Sequence, residues 1–294
     1  MKVSLTMAGI EKRFLNSVVA LGISAPTPTD KNHKHWVGTG FLVGFHHDND
    51  EAYLITNKHV VQDQEILFIR FNSLDGSSAK DYPLIIKNEK GLIQFSFHPN
   101  NEIDIVAVSL NLEFLKSNNS LFDFYDLDNE AYTLDQMEQN QIHEGSLVYA
   151  LGFPMNLVDQ DHQYPICRLG CISRISNAFD VENAVDFLVD AQTFPGNSGG
   201  PIVSRGECAK TNQKMGLLGI LKAYIPYREV LVSLQTHLQR SIMEENSGLT
   251  VVHPVDRIIE VVKIEQTRVS LLKASPKRKK KRNTTATSEK ADKK

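Results

Sequence analysis

Seven residues, Pro195-Gly196-Asn197-Ser198-Gly199-Gly200-Pro201, restrict this 294-residue chain more than any other stretch. Three glycines and two bounding prolines are incompatible with a regular helix or a central strand. They describe a tight turn whose backbone takes angles other residues avoid and which another molecule can approach closely. A serine in such a turn can present its hydroxyl outward, with neighbouring backbone N–H groups aimed at the same point. Acyl-transfer chemistry needs that arrangement to hold a developing oxyanion. Taken by itself, the stretch also fits a glycine-rich surface loop between two strands. A base and an orienting carboxylate elsewhere in the chain decide between the two.

Most of the chain reads as short strands. Apolar runs at 18–23, 37–45, 52–56, 66–71, 82–86, 92–97 and 103–110 are separated by polar or turn-rich links. A more polar stretch, 111–142, crosses to a second set at 145–154, 167–175, 184–189, 201–203, 216–224 and 249–252. Many short strands at this spacing predict a barrel or a sandwich. Three stretches read as helical. One is a short turn at 9–16. The second is 228–243, where Leu231, Leu234, Leu238 and Ile242 recur at helical spacing. The third opens at Pro254 and has an apolar face of Val255, Ile258, Ile259, Val262 and Val269, expected to pack on the second strand set.

No apolar run approaches the ~20 residues a membrane-spanning helix needs. The N-terminus is interrupted by Glu11, Lys12 and Arg13 and is not patterned as a secretory signal. The expected location is therefore cytoplasmic, or nuclear through a basic tail if the source is eukaryotic. Three cysteines, Cys167, Cys171 and Cys208, fit free structural thiols in a reducing compartment. On a strand, the four-residue spacing of Cys167 and Cys171 spans too far for an easy disulfide. Neither the cysteines nor His46-His47-Asp48 and Asp161-His162 have the further ligands a metal site requires, so no metal and no organic cofactor is expected. The formal charge of −3 is unevenly divided. From Lys273 onward ten Lys/Arg against two acidic residues give +8, which leaves −11 for residues 1–272. The tail cannot bury enough apolar surface to fold. Its run at 277–282 is of the kind that contacts nucleic acid or an anionic surface, docks on the acidic body, or serves as a solubilising tail.

Ser198 has a candidate base and a candidate orienter. His59 follows an apolar strand in LITNKHVV, and Asp104 precedes one in NEIDIVAV. The order is His, Asp, Ser, with separations of 45 and 94 residues. Together with GTGFLV, ALGFP, VDAQTFPGNSGGPIV, GLLGILKAY and ENSGLTVVHPVDRIIEVV, these segments resemble the trypsin/chymotrypsin-fold serine peptidases. Within them the chain is most similar to HtrA/Deg-like bacterial peptidases, in the same order over roughly residues 17–265.

The resemblance implies an all-β fold of two six-stranded Greek-key barrels with a C-terminal helix. Residues 1–130 would carry the first barrel with His59 and Asp104. Residues 131–272 would carry the second barrel with Ser198 and the helix, and 273–294 a disordered basic tail. It implies a serine endopeptidase: Ser198 as nucleophile, His59 as base and then acid, and Asp104 fixing the imidazole. The N–H groups of Gly196 and Ser198 would form the oxyanion hole. Gln192, Lys222, Ala223 and Tyr224 would bind substrate, with Gln192 near the base of a pocket that accepts neutral residues.

Two departures bear on control. Asn197 stands where digestive members carry an aspartate that pairs with a freed N-terminus, so activation by N-terminal cleavage is not expected. After Val262 there is no room for the PDZ domain of HtrA-like enzymes. Control would come from a loop, an oligomer or an activating protein partner. The segment 228–246 either shapes the pocket or is a peripheral insertion. The expected role is regulated intracellular proteolysis of a protein or peptide substrate, in bacterial stress, defence or quality control. The rival is a catalytically silent peptidase-fold module recruited to nucleic acid or a protein partner by its basic tail.

Overall fold

The computed structural model describes residues 9–45, 51–206 and 214–274. The His46-His47-Asp48 loop, Cys208 and the tail from Ser275 lie outside the described residues. The first half of the chain contributes nine strands: β1 (Val18–Ser24), β2 (Lys34–Gly44), β3 (Ala52–Thr56), β4 (Ile66–Ser73), β5 (Lys80–Ile85), β6 (Ser96–Phe97), β7 (Val106–Leu110), β8 (Ser120–Leu121) and β9 (Tyr125–Asp126). They order as β5-β4-β1-β2-β3-β7-β6, with β8 on β4 and β9 parallel to β2. The second half forms a closed barrel, β10-β11-β12-β15-β14-β13. Its strands are β10 (Leu147–Gly152), β11 (Ile166–Arg174), β12 (Phe187–Asp190), β13 (Pro201–Ser204), β14 (Leu217–Val232) and β15 (Gln239–Pro254). Short helices α1 (Lys12–Asn16), α2 (Lys58–Val61), α3 (Leu112–Ser117), α4 (Leu134–Gln139) and α5 (Ser176–Phe179) join the strands, and α6 (Val255–Ala274) closes the described chain. The double-barrel class stands. The N-terminal member is a nine-stranded sheet whose hydrogen-bonded path stays open, where a closed six was expected. None of the described helices is long and apolar enough to cross a membrane.

Three apolar clusters explain why the strands read as unbroken hydrophobic runs. In β1, Val19 and Leu21 point into the N-terminal sheet, while Val18 and Ala20 point toward the second half. β2 repeats this with Leu42 against Phe41 and Val43, and β3 with Leu54 against Tyr53 and Ile55. β10 does the same from the other side, with Val148 and Ala150 in the barrel and Tyr149 and Leu151 in the shared layer. Successive side chains alternate between faces, so a strand buried on both faces has no polar side to show.

Two expectations change. The stretch 228–243 is not a helix: β14 and β15 run on past the barrel as a hairpin arm, paired from Tyr227 with Glu245 to Val232 with Gln239. The barrel supplies the reason. Tyr224 already pairs with Thr250, so each further pair extends a ladder that exists, whereas a helix would need a costly nucleus. The β-branched residues Val230, Val232 and Ile242 favour the same outcome. Leu234 and Leu238, half of the helical pattern, lie in the turn at the arm's end.

The last helix is the second change. It starts at Val255, immediately after Pro254 closes β15, and it does not pack on the barrel alone. Val255, Ile258, Val261 and Val262 enter the layer between the halves. Further along, Glu265 is fully buried and ties the helix to the N-terminal sheet. It accepts hydrogen bonds from Ser96 Oγ (2.8 Å) and the Ser109 N–H (3.2 Å), and Arg268 donates to both of its oxygens at 2.7 Å. Glu260 adds a 2.7 Å contact to His98 Nε2. Leu92 and Ile93 are exposed, and only Ser96–Phe97 of the expected 92–97 strand pairs as β6. Removing the Glu265 carboxylate deprives the half-buried Ser109 N–H, the buried Ser96 hydroxyl and the Arg268 guanidinium of their shared acceptor. Glu265→Ala is expected to cost about 2–4 kcal/mol of stability in urea unfolding, with Glu265→Gln costing less.

Candidate functional site

The Ser198 turn, the His59 helix and the Asp104 loop meet where the two halves face one another. β3 is buried along its whole length and ends at Thr56; the chain then turns through buried Asn57 into the single turn α2, which carries His59. Asp104 lies between Ile103 and Ile105, both sunk in the layer between the halves, so its side chain takes the opposite face. Its carboxylate meets His59 twice: Oδ2 lies 2.5 Å from Nδ1, and Oδ1 accepts the His59 backbone N–H at 3.1 Å. A carboxylate at this distance is an acceptor, so the proton of a neutral His59 sits on Nδ1 and Nε2 is left as an acceptor. The main chain of Asp104 is fixed as well. Its carbonyl accepts from Asn57 Nδ2 (2.8 Å), and its N–H donates to Nε2 of His253 (3.0 Å).

His253 is fully buried at the end of β15. Its Nδ1 lies 2.7 Å from the Val185 carbonyl. A carbonyl only accepts, so Nδ1 carries the proton and Nε2 is bare, as the Asp104 N–H requires. Burial pushes the His253 pKa down, with Lys222 adding to the shift and the Val185 carbonyl, Asp104 and Asp186 opposing it.

The Ser198 turn is shaped by close approach. Gly196 (φ +97°) and Gly199 (φ +86°) are both left-handed. A Cβ on Gly196 would lie 2.3 Å from the Phe153 carbonyl oxygen, and one on Gly199 would lie 2.1 Å from that of Thr39. Thr39, from β2, grips the turn. Its N–H donates to the Ser198 carbonyl (3.0 Å) and its hydroxyl to the Gly196 carbonyl (2.6 Å), while the same Oγ1 accepts the Phe153 N–H (3.1 Å). The Pro195 carbonyl is drawn aside by the Met155 N–H at 2.7 Å. Asn197 is buried and closes the turn on Phe194 in both senses, its N–H on the Phe194 carbonyl and its Oδ1 on the Phe194 N–H. The backbone N–H groups of Gly196 and Ser198 donate to no acceptor among the described residues.

Ser198 and His59 line one cavity of about 220 Å³. Ser198 Oγ lies 3.4 Å from the Lys222 carbonyl, and no hydrogen bond joins it to His59 among the described residues. Lys222, Ala223 and Tyr224 line the same cavity. Gln192 does not: it is exposed, and the adjacent Thr193 faces the cavity instead. The Thr193 hydroxyl is 2.7 Å from that of Thr250, which donates to the Ala191 carbonyl. The Lys222 ammonium is turned to the Glu102 carbonyl at 3.1 Å. Residues 225–246 leave the cavity wall as the hairpin arm, and Asn246 at its base donates to the Thr193 carbonyl at 2.5 Å. A larger cavity of about 450 Å³ borders Trp36 and Arg70, but Arg70 is held by both oxygens of Asp81 and the carbonyls of Asp159 and Gln160. Among the described residues no three His, Cys, Asp or Glu are grouped to hold a metal ion. Thr39, Thr193, Thr250 and His253 escaped the sequence reading. Thr39 lay inside GTGFLV without a mark of its own, and His253 is one of ten histidines.

Two outcomes follow from this geometry. Thr39→Val keeps the shape but strips the hydroxyl from a buried carbonyl and a buried N–H; a loss of about 2–4 kcal/mol is expected in chemical unfolding. His253 is kept neutral in the fold, whereas the unfolded chain protonates it near the ordinary value of about 6.5. Its contribution is therefore present above that pH and lost as pH falls through the depressed folded value. Unfolding free energy measured from pH 8 to pH 5 should fall more steeply for the native chain than for His253→Gln.

The model of the trypsin-like peptidase domain matches residues 38–208. No curated protein matches the chain. Solved structures similar to it include the serine endoprotease from Yersinia pestis, at 18% identity over 86% of this chain and 64% of that one, with a TM-score of 0.46. The HtrA-type protease AlgW is similar with a tripeptide (17% identity, 86% and 60% covered, TM-score 0.47) and with a decapeptide (16%, 88% and 66%, TM-score 0.46). This chain thus spans roughly two thirds or less of the length of those proteins. The match to the peptidase-domain model covers more than half of the chain, and on that ground the chain belongs to the trypsin-like peptidase domain family.

Proposed function

We propose that the chain is a serine endopeptidase that hydrolyses peptide bonds through an acyl-enzyme on Ser198. The observation that carries the reading is the His59–Asp104 pair, with Nε2 of His59 left as an acceptor on an imidazole that lines the Ser198 cavity. Nε2 would take the Ser198 proton as the hydroxyl attacks the scissile carbonyl, and would return it to the leaving amine. Asp104 would stabilise the imidazolium. The Gly196 and Ser198 N–H groups, without acceptors in the described chain, would receive the oxyanion. A substrate strand beside Lys222, Ala223 and Tyr224 would offer its own N–H to the Lys222 carbonyl. That would release the Ser198 hydroxyl to turn toward His59.

The cavity supports neutral side chains at the cleaved residue. Among the described residues its lining includes Thr193 and Thr250 and no Asp or Glu, and Lys222 adds a cation to the lining. Regulated proteolysis inside the cell, with the basic run at 277–282 recruiting the enzyme, is the setting we propose. Substrates trapped on Ser198→Ala would identify its target.

A second reading is a silent binding module. It is favoured by the Ser198 hydroxyl lying on Lys222 and not on His59. Hydrolysis of a mixed peptide library separates the two. The peptidase reading expects cleavage after neutral residues, with kcat/KM lowered by about 10³-fold or more in Ser198→Ala and His59→Ala. Strict cleavage after Arg or Lys would overturn the specificity. Cleavage that survives Ser198→Ala would overturn the mechanism, and no cleavage under any condition would favour the module.

A further inference from the structure

The hairpin arm at 225–246 has no place in the chemistry above. Beyond Pro226 and Asn246, β14 and β15 pair only with each other among the described residues. An isolated two-stranded hairpin is marginal in water, and a third strand or a packed face is normally needed. The far half of this arm, 230–243, presents apolar residues on both faces and one charge, Arg240. Val230 stands opposite Ile242 on one face, while Leu231 and Met243 lie on the other. All four are about half exposed, and Leu234 in the turn is 87% exposed. Residues 230–239 contain no Asp, Glu, Lys or Arg. The usual protections of a free strand edge, charge and Pro, are therefore missing from the part that projects furthest.

We propose that the arm is a self-association element that packs against the arm of a second copy of this chain. Three features select that occupant. Two arms related by a two-fold axis present identical surfaces, so an apolar patch on one is matched by the other. Stacked or edge-paired, they form a four-stranded unit, which meets the condition a single hairpin fails. The uncharged tip brings no like charges together when two copies meet. Because Asn246 at the base of the arm holds the Thr193 carbonyl, pairing of the arms also braces the wall of the Ser198 cavity.

Sedimentation of the full chain from about 1 to 100 µM tests this, beside two variants. In one, Arg228 is joined to Glu244 through a two-residue Asn-Gly turn, which removes the apolar half and keeps the barrel and Asn246. In the other, Ile242→Lys leaves the arm at full length. The native chain is expected to dimerise within this range, with each variant at least tenfold weaker. If the shortened chain fails to fold, Ile242→Lys alone decides. A native chain that stays monomeric at 100 µM overturns the inference, even if its arm captures an unfolded protein. So does a dimer that both variants leave unchanged. The measurement does not use catalysis, so its outcome is separate from that of the peptidase reading.

Discussion

The hydrogen bonds made by Thr39 hold the two halves of this molecule in register. One residue of β2 donates from its N–H and its hydroxyl to two carbonyls of the Ser198 turn, and receives the N–H of Phe153 at the end of β10. Thr56 then fixes Thr39 by donating to its carbonyl at 2.8 Å. Contacts this close between main chains are possible only because the turn is made of glycine. Any side chain at Gly199 would collide with the Thr39 carbonyl, and any at Gly196 with that of Phe153. The three glycines and two prolines that stand out in the sequence are thus the counterpart of a threonine 160 residues away from Gly199.

From that seam the rest can be followed outward. The apolar layer between the halves pairs Val18, Phe41 and Ile55 on one side with Tyr149, Leu151 and Val203 on the other. It keeps the His59 and Asp104 elements against the Ser198 element without a disulfide among the described residues. α6 crosses the same layer and anchors on the N-terminal sheet through buried Glu265. His253, one residue before β15 ends, reaches from the C-terminal half to the N–H of Asp104. Each half therefore positions a group that belongs to the other, and neither can shift without disturbing the cavity between them.

The strands were legible because burial on both faces writes continuous apolar runs, and β3 was read to its ends at Ala52 and Thr56. His59, Asp104 and Ser198 could be picked out because their neighbours form three recognisable segments in a fixed order. Other parts were hidden for physical reasons. A threonine that binds main chain is chosen by geometry, which one sequence does not record, so Thr39 and the Thr193–Thr250 pair left no signal. His253 acts through a backbone N–H 149 residues away. Gln192 and Thr193 are neighbours just past β12, where burial alternates from Ala191 to Thr193 and one step moves a side chain from the cavity to solvent. The arm misled because Leu231, Leu234, Leu238 and Ile242 satisfy helical spacing while belonging to two strands and the turn between them. Only the pairing inherited from the barrel separates those readings.

The arm and the cavity share one wall, because β14 passes from the cavity lining at Lys222, Ala223 and Tyr224 into the exposed hairpin. The central claim remains chemical: a serine held in this turn, beside this imidazole, is a nucleophile. Intact mass of the full chain after treatment with a fluorophosphonate tests it most directly. The account predicts one covalent adduct, mapped to Ser198 and abolished by Ser198→Ala. A native chain that takes up no adduct, or takes it up equally after Ser198→Ala, would contradict it.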